Sequence, residues 1–171
     1  MHAPLYFQAP WCRSLRVVST LATVVLVGVG VLGWTRPGLS PLARLATVLV
    51  PGLLLALTAL WTIRGYQLSA GVLQVRRLLR ATRLPLAGLV SAQADATATR
   101  GSLRLCGNGG LFSFSGLYWN RRFGRYRMFA TDPQRAVVLT FASGIVIVTP
   151  EAPEAFVVAV RPAAALRMSP A

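Results

Sequence analysis

Two apolar runs constrain this chain more than any other feature: Val17 to Trp34 and Leu45 to Ile63, of 18 and 19 residues, neither holding an Asp, Glu, Lys or Arg. A helix of either length rises roughly 27–29 Å at about 1.5 Å per residue, close to the roughly 30 Å hydrocarbon core of a bilayer. The polar side chains inside them, Ser19, Thr20, Thr23, Thr47, Thr58 and Thr62, carry hydroxyls that can bond back to their own helix carbonyls. Trp34 and Trp61 fall near the ends of the runs, where an indole sits ring inward and N–H toward water. Pro51 removes a backbone donor inside the second run and predicts a kink there. A mean hydropathy of +0.57 over 171 residues argues against two buried helices of a soluble core. A cleaved signal peptide over Val17–Gly33 is disfavoured, because no small-x-small site follows and a second apolar run comes at once. The reading is a two-span transmembrane hairpin over residues 17–63, with spans at 17–34 and 45–63.

Arginine sets the expected orientation. Arg13 and Arg16 precede the first run, Arg36 and Arg44 lie in the link Thr35–Arg44, and Arg64, Arg76, Arg77, Arg80 and Arg83 follow the second. Positive flanks favour the cytoplasmic side, so both termini and everything after Ile63 are expected in the cytoplasm of a multi-pass protein of the cell (inner) membrane. The formal net charge is +14 from 18 basic and 4 acidic residues, and every basic residue is Arg. Fourteen of those arginines and all four acids (Asp95, Asp132, Glu151, Glu154) lie after Ile63, a net +10. That excess needs an anionic partner, and beside two spans the nearest polyanion is the lipid head-group layer rather than nucleic acid. Cys12 and Cys106 read as free thiols on the reducing side.

Residues 1–16 form an N-terminal cytoplasmic flank, with His2, Tyr6, Phe7 and Trp11 on what reads as a loose tail. Pro37, Gly38 and Pro41 turn the chain between the two runs. From Gly65 the texture changes to short runs broken by Gly, Pro and Asp. Tyr66–Ser69 and Val72–Val75 read as a hairpin about Ala70-Gly71, although Val72–Arg83 can also be drawn as a basic helix. Further strands are expected after Pro85 (to Gln93), over Arg100–Leu105 up to the Gly-rich 106–110, over Gly116–Asn120 and Arg125–Thr131 about a turn at 121–124, and over Ala136–Phe141 and Ile145–Val148 about Ser143-Gly144. Up to seven such strands predict an antiparallel barrel or sandwich. A helix then begins at Thr149-Pro150-Glu151, with Thr149 as N-cap, buries Phe156, Val157 and Val160, and ends at Arg161-Pro162. Residues 163–171 are left as a flexible tail.

The stretches RLCGNGGLFSFSGLY (104–118), GRYRMFATDPQRAVVL (124–139) and IVTPEAPEAF (147–156) resemble the bacterial pleckstrin-homology (PH) domain family found on small membrane proteins. Thr149 and Ala152 depart from the Ser and Asp expected there, as does Ala70-Gly71 from Asp-Gly. The resemblance implies an α+β membrane protein: the helical hairpin followed, over residues 65–162, by a PH-like barrel or sandwich closed by one C-terminal helix. It implies no well-defined ligand.

Catalysis is disfavoured. The one His is at position 2, so no Ser-His or Cys-His pair can form in the globular part, the four acids show no metal-ligand spacing, and Cys106–Gly110 lacks the Gly-Lys-Ser/Thr ending of a phosphate loop. No cofactor or metal is expected. What remains is basic: Arg121, Arg122, Arg125 and Arg127 on one hairpin beside Tyr118 and Trp119, together with Arg76, Arg77, Arg80 and Arg83. Their expected role is contact with anionic lipid head groups. The alternatives are a solvated basic face that only sets topology, and a protein-interaction module recruiting a membrane or cytoplasmic partner through aromatics at 111–114 and 123.

Overall fold

The computed structural model describes residues 4–165. The first apolar run lies within helix α1 (Arg13–Thr35), and the second within α2 (Pro41–Ala59) and the residues that follow it. α2 starts ahead of its apolar run because Ser40 caps it, its Oγ accepting the Ala43 N–H at 3.2 Å, and Pro41 takes the first helical position. The Cys12 sulfur caps α1 by accepting the Leu15 N–H at 3.4 Å. Thr23, Thr35, Thr47 and Thr58 return hydrogen bonds to carbonyls three or four residues back. Gly33 and Gly30 let the helices approach: a Cβ on Gly33 would come within 2.6 Å of Thr47 Cγ2, and one on Gly30 within 3.5 Å of the Thr47 carbonyl. That carbonyl is the one Pro51 leaves without its usual donor. Elsewhere both helices expose their apolar side chains almost throughout.

The strands are β1 (Leu5–Gln8), β2 (Ile63–Ser69), β3 (Val72–Arg77), β4 (Ala81–Pro85), β5 (Leu89–Ala94), β6 (Leu103–Gly109), β7 (Phe114–Asn120), β8 (Gly124–Ala130), β9 (Val137–Phe141) and β10 (Gly144–Val148), and helix α3 runs Pro153–Ala165. They form two sheets, ordered β1-β2-β3-β4 and β5-β9-β10-β8-β7-β6. The expected antiparallel barrel or sandwich is realised as two packed sheets, with two departures. The sheets do not close on each other, and β10 pairs parallel to β8, Val146 beside Arg127. The reason is local: a turn capped by Asp132 carries the chain from β8 into the β9–β10 hairpin, which returns β10 alongside β8 in the same direction. Strand prevails over helix at 72–83 because Ala70 and Gly71, both with positive φ, supply the tight turn between β2 and β3.

The core lies between the sheets, with Tyr66, Leu73 and Val75 facing Phe129, Leu139 and Val148, and Phe156 and Val160 of α3 closing one end. The other face of the second sheet buries Tyr118, Tyr126, Met128 and Ile147 under the segment around Ala98. The helix start is a second correction. Thr149 does not cap α3; its buried hydroxyl accepts the Thr131 N–H at 2.9 Å and lies 3.3 Å from the Tyr66 hydroxyl, while Pro153 opens the helix. Nor does Pro162 end it, since the Val158 carbonyl deprived of a donor belongs to an exposed residue that water can reach. Residues 166–171 of the expected tail, and His2, lie outside the described residues.

The third correction concerns the N-terminal flank. Leu5–Gln8 is a strand, paired with β2 from Leu5↔Leu68 to Gln8↔Gly65. Gln8 accepts the Glu151 N–H at 2.9 Å, and Cys12 donates to the Thr131 carbonyl at 3.2 Å. Gly65 is needed at this pairing, because a Cβ there would come within 2.7 Å of the Phe7 carbonyl.

Candidate functional site: arginines at the helix end of the sandwich

Three residues, Leu60–Thr62, separate α2 from β2, and β2 pairs with β3 so that Ile63 stands opposite Arg77. The far end of β3 and the β3–β4 turn therefore lie where α2 enters the domain. The turn between β6 and β7 meets the same place. Phe112 donates its N–H to Ser19 Oγ at 3.0 Å and sets its ring edge against Trp11, and the Ser113 hydroxyl donates to the Trp61 carbonyl at 2.9 Å. Leu15 and Ser19, in the first turns of α1, are both buried.

Arg77 continues the inward register of Leu73 and Val75, so it enters the gap between the sheets where the core ends, and it is only 7% exposed. Its guanidinium donates to Ser115 Oγ at 2.9 Å and lies 4.8 Å from the Trp61 ring centre and 5.4 Å from that of Phe129. The Arg77 N–H to Arg80 carbonyl bond, 2.9 Å, closes the turn and brings Arg80 to 4.9 Å from Trp61. Arg127 comes across from β8, 5.5 Å from the Phe129 ring. These side chains line a cleft of about 370 Å³. Burial, with Arg80 and Arg127 nearby, pushes the Arg77 pKa below the ordinary guanidinium value. Leu78 and Leu79, the residues between Arg77 and Arg80, are exposed.

The other arginines named from the sequence lie elsewhere. Arg76 and Arg83 are exposed on the opposite side of the first sheet, Arg76 donating to Gln67 Oε1 at 2.8 Å. Arg125 lines a neighbouring cleft with Leu84, Leu117 and Arg127. Arg121 and Arg122 occupy the β7–β8 turn, at the end of β7 remote from the turn that touches the helices, roughly 20 Å away along the strand. Arg122 is ion-paired with Asp95. The Asp95 carboxyl is held below the usual carboxylate range first by the Thr97 hydroxyl and amide, then by Arg122. The structure thus brings Arg77, Arg80 and Arg127 together and leaves the hairpin tip apart. The sequence carried the signal for Arg77, an arginine in the place of a core residue in the alternation Leu73, Val75, Arg77. The aromatics at 111–114 and 123 are largely occupied: Phe112 meets Trp11, and Phe114 and Phe123 pack on the second core cluster. Of the glycines at 106–110, Gly110 alone lies in the β6–β7 turn, its N–H donating to the Ser113 carbonyl at 3.1 Å. Cys106–Gly109 belong to β6, where Gly107 stands opposite Gly116 at a close backbone approach.

Two apolar helices, two packed sheets and a closing C-terminal helix define a PH-like domain joined directly to a helical hairpin. A family profile, the bacterial PH domain, matches residues 64–164, more than half of the chain, and the chain belongs to that family. PH domains are generally non-catalytic modules that bind lipids or proteins. No curated protein and no solved structure matches this chain.

Proposed function

We propose that this chain is a non-enzymatic module anchored in the bacterial inner membrane by α1 and α2, with both termini and the PH-like domain (65–162) on the cytoplasmic side and an arginine-rich end of the domain set against anionic head groups. The observation that carries this reading is the pairing of Ile63 with Arg77 directly after α2. It sets Arg77, Arg80 and the exposed Leu78-Leu79 tip at the end of the domain that α2 enters, and this supports the reading because apolar tips enter a membrane interface and each Arg near an anionic leaflet contributes about 1 kcal/mol. Both helices are long and apolar enough to cross a bilayer, and bare apolar surface of that extent in water is strongly unfavourable. α2 rises about 28 Å, and the part of α1 beyond the buried Ser19 about 24 Å, which draws the domain down onto the head-group layer. Pairing of β1 with β2 supports an even number of crossings, because strands on opposite sides of a bilayer cannot share a sheet.

The chain's own thiols test the topology. Cys106 is exposed, so a membrane-impermeant maleimide labels it in inverted vesicles and not in intact cells; labelling in intact cells refutes the orientation. In reconstituted bilayers, association of the arginine-rich end with anionic lipid weakens as salt is raised. A second reading, recruitment of a protein partner, is favoured by the exposed strip of Leu103, Leu105, Leu117 and Trp119 on β6 and β7. Partner capture through that strip is insensitive to salt and lost on Trp119→Ser.

A further inference from the structure

Among the described residues no carboxylate stands between the guanidiniums that meet at the helix end of the sandwich. Arg77 spends one donor on Ser115, and its Nε is buried with no partner among the described residues. Arg80 and Arg127 stand beside it. The chain's four acids are occupied or placed elsewhere: Asp95 pairs with Arg122, Asp132 with Arg135, and Glu151 and Glu154 lie at the start of α3. A buried cation facing two like charges is unfavourable until an anion enters, and guanidinium forks present paired N–H donors that match phosphate oxygens. The stacking of Arg77 and Arg80 on Trp61, and of Arg127 on Phe129, holds the forks in place before any ligand arrives.

We propose that this cleft binds one phosphate group, with Arg77, Arg80 and Arg127 as its ligands and Ser115 positioning Arg77. The proposal rests on the membrane reading above only for the source of the phosphate, a phospholipid head group of the adjoining leaflet rather than a soluble phosphate compound.

The test uses the full chain purified in a neutral detergent, with lipid retention counted by native mass spectrometry in added phosphatidylglycerol, and with thermal melting followed in a separate titration of inorganic phosphate. Arg80→Gln with Arg127→Gln removes two exposed ligands, and Arg121→Gln with Arg122→Gln is the control of equal charge. The expected result is one phosphatidylglycerol retained by the wild type and by the control, with retention falling about tenfold or more in the Arg80/Arg127 variant. Stabilisation by inorganic phosphate with no retained lipid upholds the site, assigns it to a soluble phosphate compound and counts against the head-group contact proposed above. Equal loss in both variant pairs, or no response to either probe, overturns the site while leaving the membrane anchor standing. Arg77→Met, which removes the buried charge, abolishes the phosphate response; an undiminished response in that variant also overturns the assignment.

Discussion

Tyr66 ties three segments together through one oxygen. Its hydroxyl donates to the Phe129 carbonyl at 2.6 Å and accepts the Thr149 N–H at 3.1 Å, inside a core where its ring also meets Phe156 edge-on. Tyr66→Phe leaves that carbonyl and that N–H buried and unpaired, a loss of about 1–3 kcal/mol that appears as a lower midpoint in thermal unfolding. Burial pushes the Tyr66 hydroxyl from 10.0 up to about 12, and burial does the same for Tyr118. The unfolded chain therefore ionises first, so stability is full below about pH 10 and falls as pH rises toward 12. The alkaline limb of the wild-type pH–stability curve becomes shallower in Tyr66→Phe. By contrast, the Arg122–Asp95 pair is largely exposed at the arginine, and Arg122→Ala changes the unfolding midpoint by no more than about 1 kcal/mol equivalent.

At the level of elements, the β6–β7 pairing depends on two glycines. Gly107 and Gly116 face each other with φ of 115° and 145°, and a Cβ on Gly107 would come within 2.7 Å of the Gly116 Cα. Gly107→Ala or Gly116→Ala parts these strands, seen as fast hydrogen exchange of the β6 amides with β9 and β10 still protected. The hairpin turns were legible from sequence because each is written locally, in Ala70-Gly71, in Arg121–Gly124 and in Ser143-Gly144. The parallel pairing of β8 with β10 was not, since it depends on a connection whose path no local residue dictates. Thr149 misled for a related reason: Thr-Pro-Glu is helix-start chemistry, yet the same hydroxyl satisfies Thr131 and Tyr66 in the buried core. The convergence of Arg77, Arg80 and Arg127 was half-legible, for Arg77 and Arg80 share one turn while Arg127 arrives by the register of β8 against the rest of the second sheet. In the helical hairpin, Gly33→Leu drives a side chain into Thr47 and separates α1 from α2, which thiol crosslinks placed across the pair would report as lost contact.

For the molecule as a whole, the domain is not hung on a tether. Helix ends, the β6–β7 turn and the N-terminal strand are joined by hydrogen bonds at Ser19, Trp61, Gln8 and Cys12, so tilting of the helices is passed to the sandwich and to the arginine cleft beside it. Gly65→Val blocks the seat of β1; its amides then exchange freely, and the exposed edge of β2 makes the purified protein prone to self-association, measurable by light scattering.

The pairing of Leu5 with Leu68 also fixes an order in time. Leu5–Gln8 is synthesised before either helix, and at about 5–20 residues per second its partner strand follows roughly 3–13 s later. During that interval both helices are made while β1 has no partner strand. Leu5–Gln8 thus waits for both helices before it can join a sheet, and a ribosome stalled between Ala59 and Ile63 leaves both helices complete and β1 without β2.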